Sequence, residues 1–188
     1  MTTILGIDPG LTRLGVGVVR QGGGRTVSLL HVEVLRTPAT AEISHRLGTL
    51  SGAIDELLAR FNPDIVALER VFAQHNVRTV MGTAQVSGVV LALAHSRSIP
   101  VSLRTPSEVK AAVTGHGRAN KDQVGTMVAR ILGLAEIPQP ADAADALALA
   151  ITEAWRGVAP ASAASESTPA QKAWREAEAR AKRPKLQK

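Results

Sequence analysis

Four acids carry the strongest chemical signal in the chain. Asp8 closes the β-type run TILGID and is followed at once by Pro9-Gly10; Glu69 closes DIVALE in the same manner. A carboxylate at the end of a buried strand, where side chains meet a crevice, is costly unless something compensates its charge. Asp142 and Asp145 stand three residues apart in the stretch ADAADALALA. Both therefore project from one helix face, in the first turns, where the helix dipole favours anions. Plainer readings exist: Glu69 can pair with Arg70, and one of the two aspartates can cap its helix. Together, acids on three segments converge only around a shared cation, because unshielded carboxylates repel and raise one another's pKa.

Cys is absent, which excludes thiolate chemistry and Cys-bound zinc and leaves carboxylates or the five His to hold any metal. Carboxylates point to magnesium, with manganese able to substitute. Two such ions, about 3.5–4 Å apart, hydrolyse a phosphodiester by activating a water and stabilising the leaving 3′ oxygen. Asp8 is the natural bridging ligand, with Glu69 on one ion and Asp142 and Asp145 on the other, although spacing does not fix this allocation.

These acids need a sheet and a helix to position them. Residues 3–8 and 14–20 and the run TVSLLHVEVLR read as a three-stranded meander, turned through PGLTR and Gly22-Gly23-Gly24. Helical spacing of apolar residues from about Thr40 to Phe61 ends at Asn62-Pro63. A buried-type strand at 64–69, a mostly apolar helix at 77–96 and a short strand at 101–103 follow. Thr105-Pro106-Ser107-Glu108 is a capping box that opens a short helix, and Asn120-Lys121-Asp122-Gln123 repeats it for a helix ending near Gly133. Pro138 and Pro140 introduce the acid-bearing helix, which ends at Gly157. The prediction is an α/β domain over 1–157, its mixed five-stranded sheet combining the antiparallel meander with parallel strands and flanked by helices. Residues 158–188, rich in Ala, Ser, Pro and charge, read as a basic, disordered tail.

The net charge of +6 is unevenly spread. From Gly157 onward there are seven Lys and Arg against three Glu, leaving 15 basic and 13 acidic residues before it. With four of those acids assigned to metal, the body keeps a basic surplus suited to a phosphate backbone. No apolar run approaches a membrane span, and the N-terminus lacks the pattern of a cleavable leader, so a cytoplasmic location is expected.

The blocks IDPGLTRLG, ALERVF, TPSEVKAAVTG followed by NKDQV, and ADAADALALA resemble, in order over residues 3–156, the signature blocks of the RuvC family of Holliday-junction resolvases. The resemblance implies a ribonuclease H-like fold, a homodimer, and paired symmetric nicks across a four-way DNA junction in recombination and repair. It also implies the partners RuvA and RuvB. The family's catalytic acids fall on Asp8, Glu69, Asp142 and Asp145; where some relatives carry His at the third position, this chain has an acid. Lys110 and Lys121 match lysines near the scissile phosphate, where a fixed positive charge stabilises developing negative charge. Phe72 matches an aromatic that contacts unstacked bases. Arg78, Arg118 and His75 are further candidates for phosphate contact. The helix at 77–96, with Gly82, Thr83, Ala84, Ser87, Gly88 and Ala92, is expected to form the dimer interface or to be buried within one subunit.

Two other functions fit parts of the pattern. The segment Asp8-Pro9-Gly10-Leu11-Thr12 also suits the phosphate turn of an actin-like or sugar-kinase ATPase, but the chain has no room for the second lobe such enzymes need. A junction-binding protein with a merely structural acid cluster would bind without nicking.

Overall fold

The computed structural model describes residues 1–71 and 77–156. Ten elements follow one another: β1 (Thr2–Asp8), β2 (Arg13–Gln21), β3 (Val27–Arg36), α1 (Ile43–Phe61), β4 (Ile65–Glu69), α2 (Val77–Ser96), β5 (Val101–Arg104), α3 (Pro106–Thr114), α4 (Lys121–Leu132) and α5 (Ala141–Arg156). The sheet order is β3-β2-β1-β4-β5. Strands β1, β2 and β3 form the predicted antiparallel meander, while β4 runs parallel to β1 and β5 parallel to β4.

Helices cover both faces of the sheet. Alternation along β1 sends Leu5 and Ile7 into a core with Leu50, Ile54 and Leu58 of α1 and Val86, Val90 and Ala94 of α2. Ile4 points the other way, into a core built with α3, α4 and α5. Burial on both faces explains why the central strands read as continuous apolar runs rather than as alternating ones.

Both predicted capping boxes form. Thr105 accepts from the Glu108 backbone N–H, Asn120 accepts from that of Gln123, and each third-position side chain accepts from its cap residue's N–H. Gly115 and Gly133 close these helices with positive φ, the conformation that glycine adopts without a steric cost. Helix α1 starts at Ile43 rather than near Thr40, because Pro38 to Ala41 form a turn closed by the Ala41 N–H on the Pro38 carbonyl. The predicted tail lies outside the described residues. Among the described residues no helix is long and apolar enough to cross a membrane.

Candidate active site

Strand periodicity decides which way the two strand-end acids point. Ile4 and Gly6 face α5, so Asp8, two residues further on, shares that face; Ala67 belongs to the α5-side core, and Glu69 follows it by two. The parallel register pairs Ile7 with Leu68, placing Asp8 and Glu69 abreast at the next step. Their carboxyls stand close enough for Glu69 to raise the pKa of Asp8. Among the described residues Glu69 makes no ion pair with the adjacent Arg70.

Helix α5 reaches these acids because three strand glycines let it lie directly on the sheet. A Cβ on Gly15 would stand 2.0 Å from the Asp142 carbonyl oxygen, one on Gly6 2.2 Å from that of Ala146, and one on Gly17 2.8 Å from the Leu147 backbone nitrogen. The facing positions Ala143, Ala146 and Ala150 are small as well and fully packed. The expectations from sequence did not include this seam, although LGVGVV opposite an Ala-rich helix was its signal.

A cleft of about 230 Å³ gathers Asp8, Glu69, Lys110, Lys121 and Asp145, so both predicted lysines stand with three of the acids. Lys121 Nζ donates to Asp145 Oδ2 at 2.8 Å. Asp142 lines a neighbouring cleft instead, 3.1 Å from the Arg13 guanidinium. It is still near enough to raise the pKa of Asp8. Arg118 is not brought to the acids: it lines a separate cleft with Thr114, His116 and Asn120. Phe72 and His75, and the side chain of Arg78, lie outside the described residues.

The electrostatics are those of crowded carboxylates. Burial, then repulsion from Glu69, Asp145 and Asp142, pushes Asp8 up to about 8, against a partial offset from Lys121. Glu69 is raised too, by burial first and then by Asp145, with Lys121, the bond from Asp8 and Lys110 opposing. The bond to Asp145 raises the Lys121 pKa, which keeps this amine a fixed cation rather than a base. As the side chains lie, no three Asp, Glu or His among the described residues stand close enough to hold one ion. The donor set nonetheless fits a hard divalent cation: these are oxygen ligands alone, half-buried, and Asp8 and Glu69 are raised in pKa by burial and by their acidic neighbours. Lys121 on Asp145 and Arg13 on Asp142 supply positive charge beside the acids.

Arg104 was not among the expected site residues either. Its Cα pairs with Glu69 in the β4–β5 register, and its buried guanidinium binds Glu153 of α5, with Nε donating to Oε2 at 2.8 Å. It thereby ties the sheet edge to the acid-bearing helix.

The sequence matches the family of crossover junction endodeoxyribonuclease RuvC over residues 4–153. Similar proteins include the crossover junction endodeoxyribonucleases RuvC of Saccharopolyspora erythraea, 63% identical over 153 residues covering 81% of this chain and 77% of the relative, and of Paenarthrobacter aurescens, 58% identical over 183 residues covering 96% and 97%. Among solved structures, Thermus thermophilus RuvC in complex with a Holliday junction substrate is 39% identical, with a TM-score of 0.80 over 84% of this chain and 96% of that one. The yeast mitochondrial Holliday junction resolvase, 14% identical over 82% of this chain and 80% of its own with a TM-score of 0.60, shares the ribonuclease H-like fold. Because the family match runs from β1 to α5 and takes in all four acids, the chain belongs to the RuvC family of crossover junction endodeoxyribonucleases, which are metal-dependent nucleases.

Proposed function

We propose that this chain resolves four-way DNA junctions by paired symmetric nicks, with Asp8, Glu69, Asp142 and Asp145 holding two magnesium ions, which manganese can replace. The observation that carries this reading is the convergence of half-buried acids from β1, β4 and α5 beside two lysines, in a chain 39% identical to a RuvC bound to a Holliday junction. Bound ions of this kind supply an activated water and stabilise the leaving 3′ oxygen. The chain's own groups do the rest. Asp8, Glu69, Asp142 and Asp145 would hold the ions in their ionised form. Lys121 and Lys110 would hold positive charge where the phosphate gains negative charge. Phe72 stacks on a base at the junction centre, and Arg78 and Arg118 contact the backbone.

Two nicks placed symmetrically require two sites related by a two-fold axis, hence a homodimer. Helix α2 buries one face through Val86, Val90 and Ala94 and leaves a second face of Met81, Ala84, Gly88, Leu91 and Ala92 exposed. Met81 and Leu91 are 55% and 41% exposed, which supports pairing through that face. By family resemblance RuvA and RuvB are partners, and the enzyme works in the cytoplasm on a folded unit of residues 1–157 with 158–188 as a basic tail.

The deciding experiment incubates a labelled synthetic four-way junction and a linear duplex with the protein and magnesium. Two symmetric nicks on the junction alone, lost in Asp8→Asn while binding persists, are expected. Equal cutting of linear duplex, or cutting that survives Asp8→Asn, overturns the reading.

A further inference from the structure

Arg46, in the first turn of α1, is 8% exposed, and no carboxylate pairs with it among the described residues. Its Nε donates to Thr37 Oγ1 at 2.9 Å and Nη2 to Thr12 Oγ1 at 2.7 Å. Both acceptors are neutral hydroxyls. A guanidinium carries five N–H donors, more than these two oxygens accept, and a buried cation without an anion is costly. Thr37 in turn donates to the Leu11 carbonyl, so the same network braces the turn that follows Asp8.

Arg46 also lines a cleft of about 460 Å³, together with Thr12, Arg13, Gly82 and Asp142. This cleft adjoins the acid cluster through Asp142 and the Gly10 turn. Two guanidiniums face one carboxylate in it, and that carboxylate is already paired with Arg13 at 3.1 Å. An open, cationic cleft with a hydroxyl and a planar fork of donors matches a phosphate group.

We propose that this cleft seats a backbone phosphodiester of the bound DNA strand, close to the one being cut and held by Arg46, Arg13 and Thr12. The proposal rests on the junction-nuclease reading above. Arg46 then has two roles in one place: it fixes the loop behind Asp8, and it anchors the strand beside the acids.

The test measures binding to a four-way junction over a salt series, in the cleavage-dead Asp8→Asn background, for Arg46→Gln, Arg13→Gln and Thr37→Val. Each lost phosphate contact flattens the dependence of log affinity on log salt by about 0.9. Both arginine variants should therefore flatten the slope by about one, and weaken binding roughly tenfold at moderate salt. Thr37→Val removes a brace but keeps the charge, so its slope should stay at the background value. An unchanged slope in Arg13→Gln, or equal flattening by Thr37→Val, overturns the phosphate site and leaves Arg46 as a loop brace. Arg13 is half exposed, so its variant is decisive even where the buried Arg46 variant fails to fold. Junction binding with an unchanged slope condemns this proposal alone, whereas absence of junction binding in the background condemns the nuclease reading and this proposal with it.

Discussion

At the scale of single residues, Asp8 is a group the fold tolerates at a cost. Its pKa, 3.8 when unperturbed, stands at about 8 in the folded chain. The native state therefore holds this proton more tightly than the unfolded state. The associated stability is fully present below about pH 4 and is lost as pH rises through about 8. In chelator, the melting temperature should fall across that window, and Asp8→Asn, which carries no charge to bury, should remove much of the fall. A steeper fall in Asp8→Asn would show that Asp8 is not the strained group. Divalent cations bind the ionised form, so magnesium should bind more weakly as pH drops, with protons released on binding, measurable by calorimetry in buffers of different ionisation enthalpy.

At the scale of elements, the site depends on how closely α5 approaches β1 and β2. Gly15→Ala places a methyl 2.0 Å from the Asp142 carbonyl, backbone that cannot rotate away, so helix or strand must move. The expected loss is about 1–3 kcal/mol of stability, together with at least tenfold slower junction cleavage, since displacing catalytic groups by an ångström is severe. Junction binding should survive. Normal cleavage in a folded Gly15→Ala protein would show that the glycine seam does not position the acids. The Arg104–Glu153 pair acts at the same scale from the other sheet edge. Glu153→Gln strands a buried guanidinium and should destabilise by about 3–5 kcal/mol in urea titration. A loss within about 0.5 kcal/mol, typical of surface sites, would mean that the pair contributes little.

At the scale of the whole molecule, symmetric cutting needs two copies, and the exposed face of α2 is the proposed contact. Leu91→Glu, at a position outside the core, should leave the fold intact and shift sedimentation from dimer toward monomer. On the junction it should yield single, uncoupled nicks in place of paired ones. A Leu91→Glu protein that still sediments as a dimer would place the interface elsewhere. Charge bears on the same scale: the chain carries a net charge of +6, and its affinity for DNA should fall steeply with salt.

The sequence alone determined the ten elements almost to their ends, because alternating and helical apolar periods, two capping boxes and the terminating glycines are local signals. It also singled out the four acids as candidates, Asp8 and Glu69 because a carboxylate that ends an apolar strand is costly to keep there without a charge to bind. Tertiary structure decided what depends on residues distant in the chain. Register and pleat put Asp8 and Glu69 on the face of α5. The glycine seam set the depth of that helix. Lys121 reached Asp145 from 24 residues away, while Arg118, only three positions before Lys121, faced another cleft. Arg13, Arg46 and Arg104 look like ordinary cations in the sequence; only their burial or their partners set them apart, because the charge balance of a site depends on which side chains meet in space.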